Sequence, residues 1–300
     1  MKTNKWNSDQ VPDQTGRIAI VTGSSSGLGI ETARVLSGKG ATVVIAVRNE
    51  TKGNSAINRI KQDHPNAKLV LMKLDLASLS SVESFASAFK SQFDRLDLLI
   101  NNAGVMIPPY SKTEDGFELQ FGTNHLGHFL LTEKLFDILN ATKDSRIVNV
   151  SSVAHNYGKL DFDDLNWEKR KYKPINSYGD SKIANLYFTY ELARRVEEAN
   201  YDIIVTAAHP GWTATELQRH SGIVDFLNNF FAQDISMGAL PTLYAAVSDN
   251  ALNGGYYGPS GFREMRGYPK KVDSNPLSKN LEIAQQLWEV SEKLTNTHFL

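Results

Sequence analysis

Short apolar runs rich in β-branched residues alternate along this chain with stretches whose apolar residues recur at helical spacing. The runs are Ile18–Val21, Thr42–Val47, Leu69–Leu74, Leu96–Ile100, Arg146–Val150, Ile203–Ala207 and the shorter Gly255–Gly258. Because they are apolar throughout rather than at alternate positions, they predict strands covered on both faces, as in a parallel sheet. Leu28–Ser37, Ser81–Gln92, Phe129–Ala141 and Ser181–Ala199 predict helices to cover them. The pattern specifies an α/β chain, with residues 1–15 as an N-terminal extension and 16–300 as a single domain on a doubly wound, seven-stranded parallel sheet. Two segments break the rhythm, Lys159–Pro174 and Thr215–Met237, and interruptions after strand ends are where such sheets build ligand sites.

Directly after the first run comes Thr22-Gly23-Ser24-Ser25-Ser26-Gly27-Leu28-Gly29, followed by a helical pattern. Strand, glycine-rich turn and helix in that order make a phosphate cradle. Glycine lets the backbone approach a pyrophosphate, and the helix N-terminus offers free N–H groups and the positive end of its dipole. Gly23, Ser25, Ser26, Gly27, Leu28 and Gly29 are accordingly assigned to cofactor binding. An acidic residue about 20 positions further on would accept from an adenosine ribose; here the second strand ends instead in Val47-Arg48-Asn49. Arg48 can clasp a 2′-phosphate in a planar fork, which favours NADP(H) over NAD(H), while Glu50 two places later pulls the other way. The third strand ends in Leu74-Asp75-Leu76, where Asp75 either accepts from an adenine amino group or caps the following helix.

Tyr178-Gly179-Asp180-Ser181-Lys182 places a phenol and an ammonium one helical turn apart, with Ser152 as a hydroxyl partner. Residues i and i+4 share a helix face with Cβ atoms ~5–6 Å apart, so Lys182 can favour the tyrosinate of Tyr178. A phenol near its free pKa of ~10 is a poor proton shuttle at neutral pH, and a fixed neighbouring cation moves it towards the working range. Asn101-Asn102-Ala103-Gly104 closes the fourth strand, Asn124 falls in Gly122-Thr123-Asn124-His125, and Val148-Asn149-Val150-Ser151-Ser152 ends the fifth, all at one sheet edge.

In identity, order and spacing these motifs resemble the short-chain dehydrogenase/reductase family, from about Arg17 to Tyr257. The resemblance implies a single-domain Rossmann fold and a catalytic tetrad of Asn124, Ser152, Tyr178 and Lys182, with Asn102, Ala103 and Gly104 flanking the cofactor. By the same likeness Tyr178 and Lys182 also touch the cofactor, Asp75 and Leu76 lie at its adenine end, and Pro210, Gly211 and Thr215 lie at its nicotinamide end. Asn124 would hold a water that links Lys182 to solvent; the alternative is an Asn that bends or bonds the backbone. Val150-Ser151-Ser152-Val153-Ala154-His155, Ser177–Lys182 and His209-Pro210-Gly211 resemble the retinol dehydrogenase-like carbonyl reductase branch. The expected activity is hydride transfer between NADP(H) and an apolar carbonyl or alcohol, with Tyr178 as general acid and base.

Composition narrows this further. Lys plus Arg number 32 against 33 Asp plus Glu, a net charge of −1, which supplies no basic field for nucleic acid. Cysteine is absent, and no apolar run reaches the ~18 residues of a membrane span, so the expected location is cytoplasmic. His125 and His128 have metal-like spacing without a third ligand and read as packing histidines, so no metal is expected. Ile223, Phe226, Leu227, Phe230 and Phe231 form an apolar helical stripe that suits a substrate lid, ordinary packing or a subunit contact; a homo-oligomer is left open. Met106, Val153, Tyr157 and Trp212 are further pocket candidates, while Leu281, Ala284, Leu287, Trp288 and Leu294 mark a docked C-terminal helix. Two other classes compete: a catalytically silent NADP(H)-binding sensor or scaffold, and an epimerase or dehydratase holding NAD tightly. The complete Tyr-Lys-Ser-Asn set disfavours the first, and Arg48 disfavours the second.

Overall fold

The computed structural model describes residues 5–212 and 233–300. In chain order the strands are β1 (Ile18–Thr22), β2 (Thr42–Val47), β3 (Lys68–Lys73), β4 (Leu98–Asn101), β5 (Ser145–Val150), β6 (Ile203–Ala208), β7 (Tyr256–Pro259) and β8 (Pro269–Lys271). The helices are α1 (Gly27–Gly38), α2 (Glu50–Asp63), α3 (Leu79–Gln92), the single turn α4 (Leu119–Phe121), α5 (Gly127–Lys134), α6 (Phe136–Ala141), α7 (Pro174–Glu198), α8 (Ile235–Val247) and α9 (Leu281–Thr295). The sheet order is β3-β2-β1-β4-β5-β6-β7-β8. All seven expected strands are present and parallel; the sheet gains an eighth, β8, antiparallel to β7. Its three residues, Pro-Lys-Lys, carry no apolar run that could have announced it.

Neighbouring residues of the central strands feed opposite layers, which is why these strands read as continuous apolar runs. Ile20 and Val44 pack with Val82, Phe85, Phe129, Phe188 and Trp288 on the side of α3, α5, α7 and α9. Val21, Val43 and Ile45 pack with Ala33, Leu36, Ile60, Leu240 and Leu243 on the side of α1, α2 and α8. Each Val, Leu, Ile or Phe side chain among them contributes about 1.5–3 kcal/mol on burial. On α9, Trp288 is 2% exposed, stacks on Phe299 at 4.9 Å and meets Phe129 edge-on, so the C-terminal helix is docked as its stripe predicts.

The expected helix Phe129–Ala141 is two, α5 and α6, broken at Leu135, whose φ of −105° and ψ of 2° lie outside the helical basin. It is also preceded by a π-helical turn, Gly122–Leu126, closed by the Gly127 N–H on the Gly122 carbonyl. Chain direction across the sheet reverses between β1 and β4. In open α/β sheets the crevice at that switch, beyond the carboxyl ends of the strands, receives the ligand. Thr22, Arg48, Asn102, Ser152 and His209 all lie at or just past those ends. The stripe from Ile223 to Phe231 and Thr215 lie outside the described residues.

Candidate active site

The glycine turn requires its glycines. Gly23 has φ of +67°, and a Cβ there would sit 2.9 Å from the Cα of Ala103; a Cβ on Gly29 would sit 2.5 Å from the Gly23 carbonyl oxygen and 2.6 Å from Asn102 Nδ2. The loops after β1 and β4 are thus in direct contact, and Thr22 joins them. Its hydroxyl oxygen accepts the N–H groups of Asn102 and Ala103, each at 2.9 Å, and the Asn102 amide donates to the Thr22 carbonyl at 2.8 Å. Ser26 is the N-cap of α1 and makes no side-chain capping bond. Arg48, 71% exposed at the end of β2, lies 4.0 Å from Asp75. The Asp75 carboxylate accepts the Ala77 N–H, and the cap of α3 is Ser78.

Tyr178, Ser181 and Lys182 lie within α7, which starts earlier than its apolar period predicts because Pro174 occupies its first turn. Lys182 Nζ donates to the Val150 carbonyl at the end of β5, 3.0 Å away, and lies 5.6 Å from the centroid of the Tyr178 ring. Both groups are buried, and burial acts on both. It pushes the Tyr178 phenol up to about 12, opposed by the Ser152 hydroxyl, and pushes the Lys182 ammonium down to about 8. At neutral pH the phenol therefore holds its proton and the ammonium its charge. The lowering of the phenol expected from Lys182 is not seen: desolvation of the phenolate raises it, and the opposing influence is the Ser152 hydroxyl.

Ser152 caps the short 3₁₀ turn Val153–Tyr157, its Oγ accepting the Ala154 N–H at 3.1 Å. Because that bond uses a lone pair, the hydroxyl proton is left to point towards the Tyr178 phenol oxygen, where an incoming oxygen would compete for it. His155 steadies the same turn. Its Nε2 accepts the Asn275 N–H at 3.2 Å, which fixes Nδ1 as the protonated nitrogen, and Nδ1 donates to the Ser152 carbonyl at 2.7 Å.

Asn124 sits in the π turn, and its side chain is fully engaged. Oδ1 accepts the Val105 N–H at 2.8 Å, while Nδ2 donates to the Val105 carbonyl and to Ser181 Oγ, each at 2.9 Å. Its backbone carbonyl accepts from His128 Nδ1 at 3.0 Å, and His128 Nε2 accepts a hydrogen bond from the Thr22 hydroxyl at 2.9 Å. Of the two readings of Asn124, the backbone-bonding one describes its side chain. Burial lowers His128 to about 4 and His125 to about 3, so both are neutral. They face different partners, since His125 Nε2 meets Ser291 on α9 at 2.8 Å.

At the far wall, His209 is fully buried, accepts the Gly211 N–H on Nδ1 and donates through Nε2 to Glu264 at 3.0 Å. Trp212 N–H donates to the Met265 carbonyl and Gln233 donates to the Pro210 carbonyl, so the Pro210–Trp212 turn is tied on both sides. Of the pocket candidates, Met106, Val153 and Trp212 are half-buried, whereas Tyr157 is 64% exposed. The segment 159–174 is integrated into the fold. The Asp180 carboxylate accepts the Lys159 N–H at 2.8 Å and pairs with Arg170 at 3.3 Å, while the Arg170 guanidinium lies 3.7 Å from the Trp167 ring centroid. Glu118, Gln120 and Tyr172, which bind this segment to the loop after β4, carried no sequence signal: nothing in an ordinary Glu-Leu-Gln-Phe stretch shows that its polar members are buried.

The family profile described as short chain dehydrogenase matches residues 17–223. Retinol dehydrogenase 12 of Homo sapiens is 41% identical over 284 residues, covering 93% of this chain and 86% of that one. Retinol dehydrogenase 13 of Homo sapiens is 41% identical over 290 residues, covering 93% and 84%. A crystal structure of a protein from Mycobacterium Paratuberculosis superposes with a TM-score of 0.84 at 39% identity, covering 99% of each chain. The chain belongs to the short-chain dehydrogenase/reductase family and is an NAD(P)-dependent oxidoreductase acting on CH–OH or C=O groups. Within that family it falls in the retinol dehydrogenase-like branch. Its residues fit a dinucleotide, through the close-packed turn that needs glycine at 23 and 29, the Ser26 N-cap without a side-chain capping bond and the exposed Arg48 guanidinium. Among the described residues no helix is long and apolar enough to cross a membrane.

Proposed function

We propose that the protein transfers hydride between NADP(H) and an apolar carbonyl or alcohol, with Tyr178 as general acid and base. The observation that carries this reading is the set of buried Tyr178 and Lys182 with half-buried Ser152 at the carboxyl edge of the sheet, one loop away from the glycine cradle. Bound NADP(H) supplies or takes the hydride. The chain's own residues then handle the oxygen and its proton. Ser152 donates its hydroxyl proton in a hydrogen bond to the substrate oxygen, which stabilises negative charge as it develops there. In reduction, Tyr178 gives its proton to the developing alkoxide; in oxidation it takes the proton from the alcohol. Lys182, still charged at neutral pH, offsets the tyrosinate that this leaves behind.

Asn124 supports this chemistry by holding Ser181 on α7 and Val105 across the cleft. Asn102, Ala103 and Gly104 form the cofactor's flank, Asp75 and Leu76 its adenine end, and Pro210 and Gly211 its nicotinamide end. Arg48 supports NADP(H) over NAD(H), because an exposed guanidinium at the end of β2 suits a 2′-phosphate. The apolar character of the substrate is supported by half-buried Met106, Val153 and Trp212 and by relatives named for retinol.

The test is to follow NADPH and NADH consumption with a panel of aldehydes, ketones and quinones, and NADP reduction with the matching alcohols. Preferential use of NADPH with the more apolar carbonyls is expected. Dinucleotide binding without turnover of any member would instead make the chain a silent sensor.

A further inference from the structure

The loop that leaves Gly104 carries a strained residue with no catalytic role so far. Ile107 has φ of +54°. A β-branched side chain in the left-handed region costs about 1–3 kcal/mol and persists only when its surroundings impose it. The imposing group is Gln120, which is fully buried on α4. Its Oε1 accepts the Ile107 N–H at 2.8 Å, and its Nε2 donates to the Tyr172 hydroxyl at 2.9 Å and to the Pro174 carbonyl at 3.0 Å. Tyr172 in turn donates to Glu118, also fully buried, whose second carboxylate oxygen accepts the Phe121 N–H. Every polar atom of the Gln120 amide is thus spent on holding two segments, the loop after β4 and the end of 159–174, to the start of α7.

The strained stretch is short and close to the chemistry. Asn124 grips both backbone groups of Val105 and Gln120 grips Ile107, so Met106 is bracketed between two clamps. A Cβ on Gly104, where the stretch begins, would lie 3.6 Å from Lys182 Nζ and 3.1 Å from Asn124 Oδ1. The preceding residues, Asn102 and Ala103, are held separately by Thr22. The cofactor flank and the Val105–Ile107 stretch therefore have different anchors.

We propose that Gln120 is a positioning residue that holds Val105–Ile107 as a rigid wall of the substrate cleft beside Lys182 and so governs recognition of the carbonyl substrate. This rests on the hydride-transfer reading above only for its kinetic part. Gln120→Met keeps the length of the side chain and removes all three hydrogen bonds. It should raise KM for an apolar aldehyde on the order of tenfold, with a smaller fall in kcat and an unchanged NADPH dissociation constant. Ile107→Gly should restore most of that loss in the double variant, because glycine adopts the left-handed backbone without an imposing partner. A residue that merely stabilised the fold would show no such coupling across the double-mutant cycle.

Hydrogen exchange reads the same device without turnover. The peptide spanning Val105–Ile107 should exchange at least about tenfold faster in Gln120→Met than in the wild type. Tyr172→Phe, which removes one of the three bonds, should move both readouts in the same direction by less and serves if Gln120→Met does not fold. If the wild type turns over no carbonyl, the functional reading fails and the exchange result alone decides the clamp. Unchanged exchange at Val105–Ile107, an unchanged KM in an active protein, or no rescue by Ile107→Gly overturns the proposal.

Discussion

Replacing Arg48 by methionine removes the exposed guanidinium that the end of β2 offers to a 2′-phosphate, and the loss can be sized from its surroundings. At about 4 Å a pair of unit charges is worth ~1 kcal/mol in bulk water and ~4 kcal/mol at the effective dielectric of a protein surface. With the side chain 71% exposed, the lower half of that range applies. A charge-assisted hydrogen bond to phosphate adds to it, while Asp75, 4.0 Å from the guanidinium, competes for the same donors and subtracts from it. The net contribution is about 1.5–2.5 kcal/mol, so Arg48→Met should weaken NADPH binding ~10- to 70-fold and leave NADH binding unchanged. The penalty should shrink as salt is raised, because the pair faces solvent. Titrating both dinucleotides against wild type and variant by fluorescence checks this at two ionic strengths. An equal loss for NADPH and NADH, or no loss for NADPH, would refute the assignment of Arg48 and with it the cofactor preference.

Two further outcomes concern pH. Lys182 loses its proton near about 8 and its charge offsets the tyrosinate, so kcat/KM for carbonyl reduction should fall as pH rises through that value. Lys182→Arg should move this limb upward; a profile level to about pH 10 in the wild type would contradict the role given to the ammonium. His125 and His128 have folded-state values of about 3 and about 4, below the 6.5 of an unfolded histidine, so the unfolded chain binds more protons as pH falls below 6.5. Their contribution is intact above that pH and is lost on acidification, by up to ~1.4 kcal/mol per pH unit for each. Urea midpoints measured at about pH 7 and pH 5 should differ less in His128→Gln than in the wild type.

What the sequence shows and hides follows from which property each element depends on. The seven parallel strands are legible because burial on both faces makes them apolar throughout. Helix α2 is harder to see, since only Gly53, Ala56 and Ile60 of its residues are buried. Helix α8 is hidden for the opposite reason: it is apolar nearly all round, contains Pro241, and so has no helical period. In the proposed site, the glycine turn, Asn102–Gly104, Ser152, Tyr178 and Lys182 stand out in the sequence because the proposed chemistry demands particular residue types at fixed spacing. The groups that position them are not. His155 steadying Ser152, His128 joining Thr22 to the Asn124 carbonyl, and Gln120 imposing the backbone of Ile107 depend on tertiary neighbours that no local pattern encodes. The interruption at 159–174 was visible as a break in rhythm, but its purpose, reaching Glu118 and Gln120 through Tyr172, was not.

The central claim is that the Tyr178 hydroxyl is the proton donor to the substrate oxygen, and Tyr178→Phe tests it by removing one atom from a buried ring. Single-turnover consumption of NADPH with the best apolar carbonyl substrate, measured beside NADPH binding, separates chemistry from recognition. The expected rate is about 10²- to 10⁴-fold below wild type, with the NADPH dissociation constant unchanged. A variant that binds NADPH normally and keeps most of the wild-type rate would contradict it.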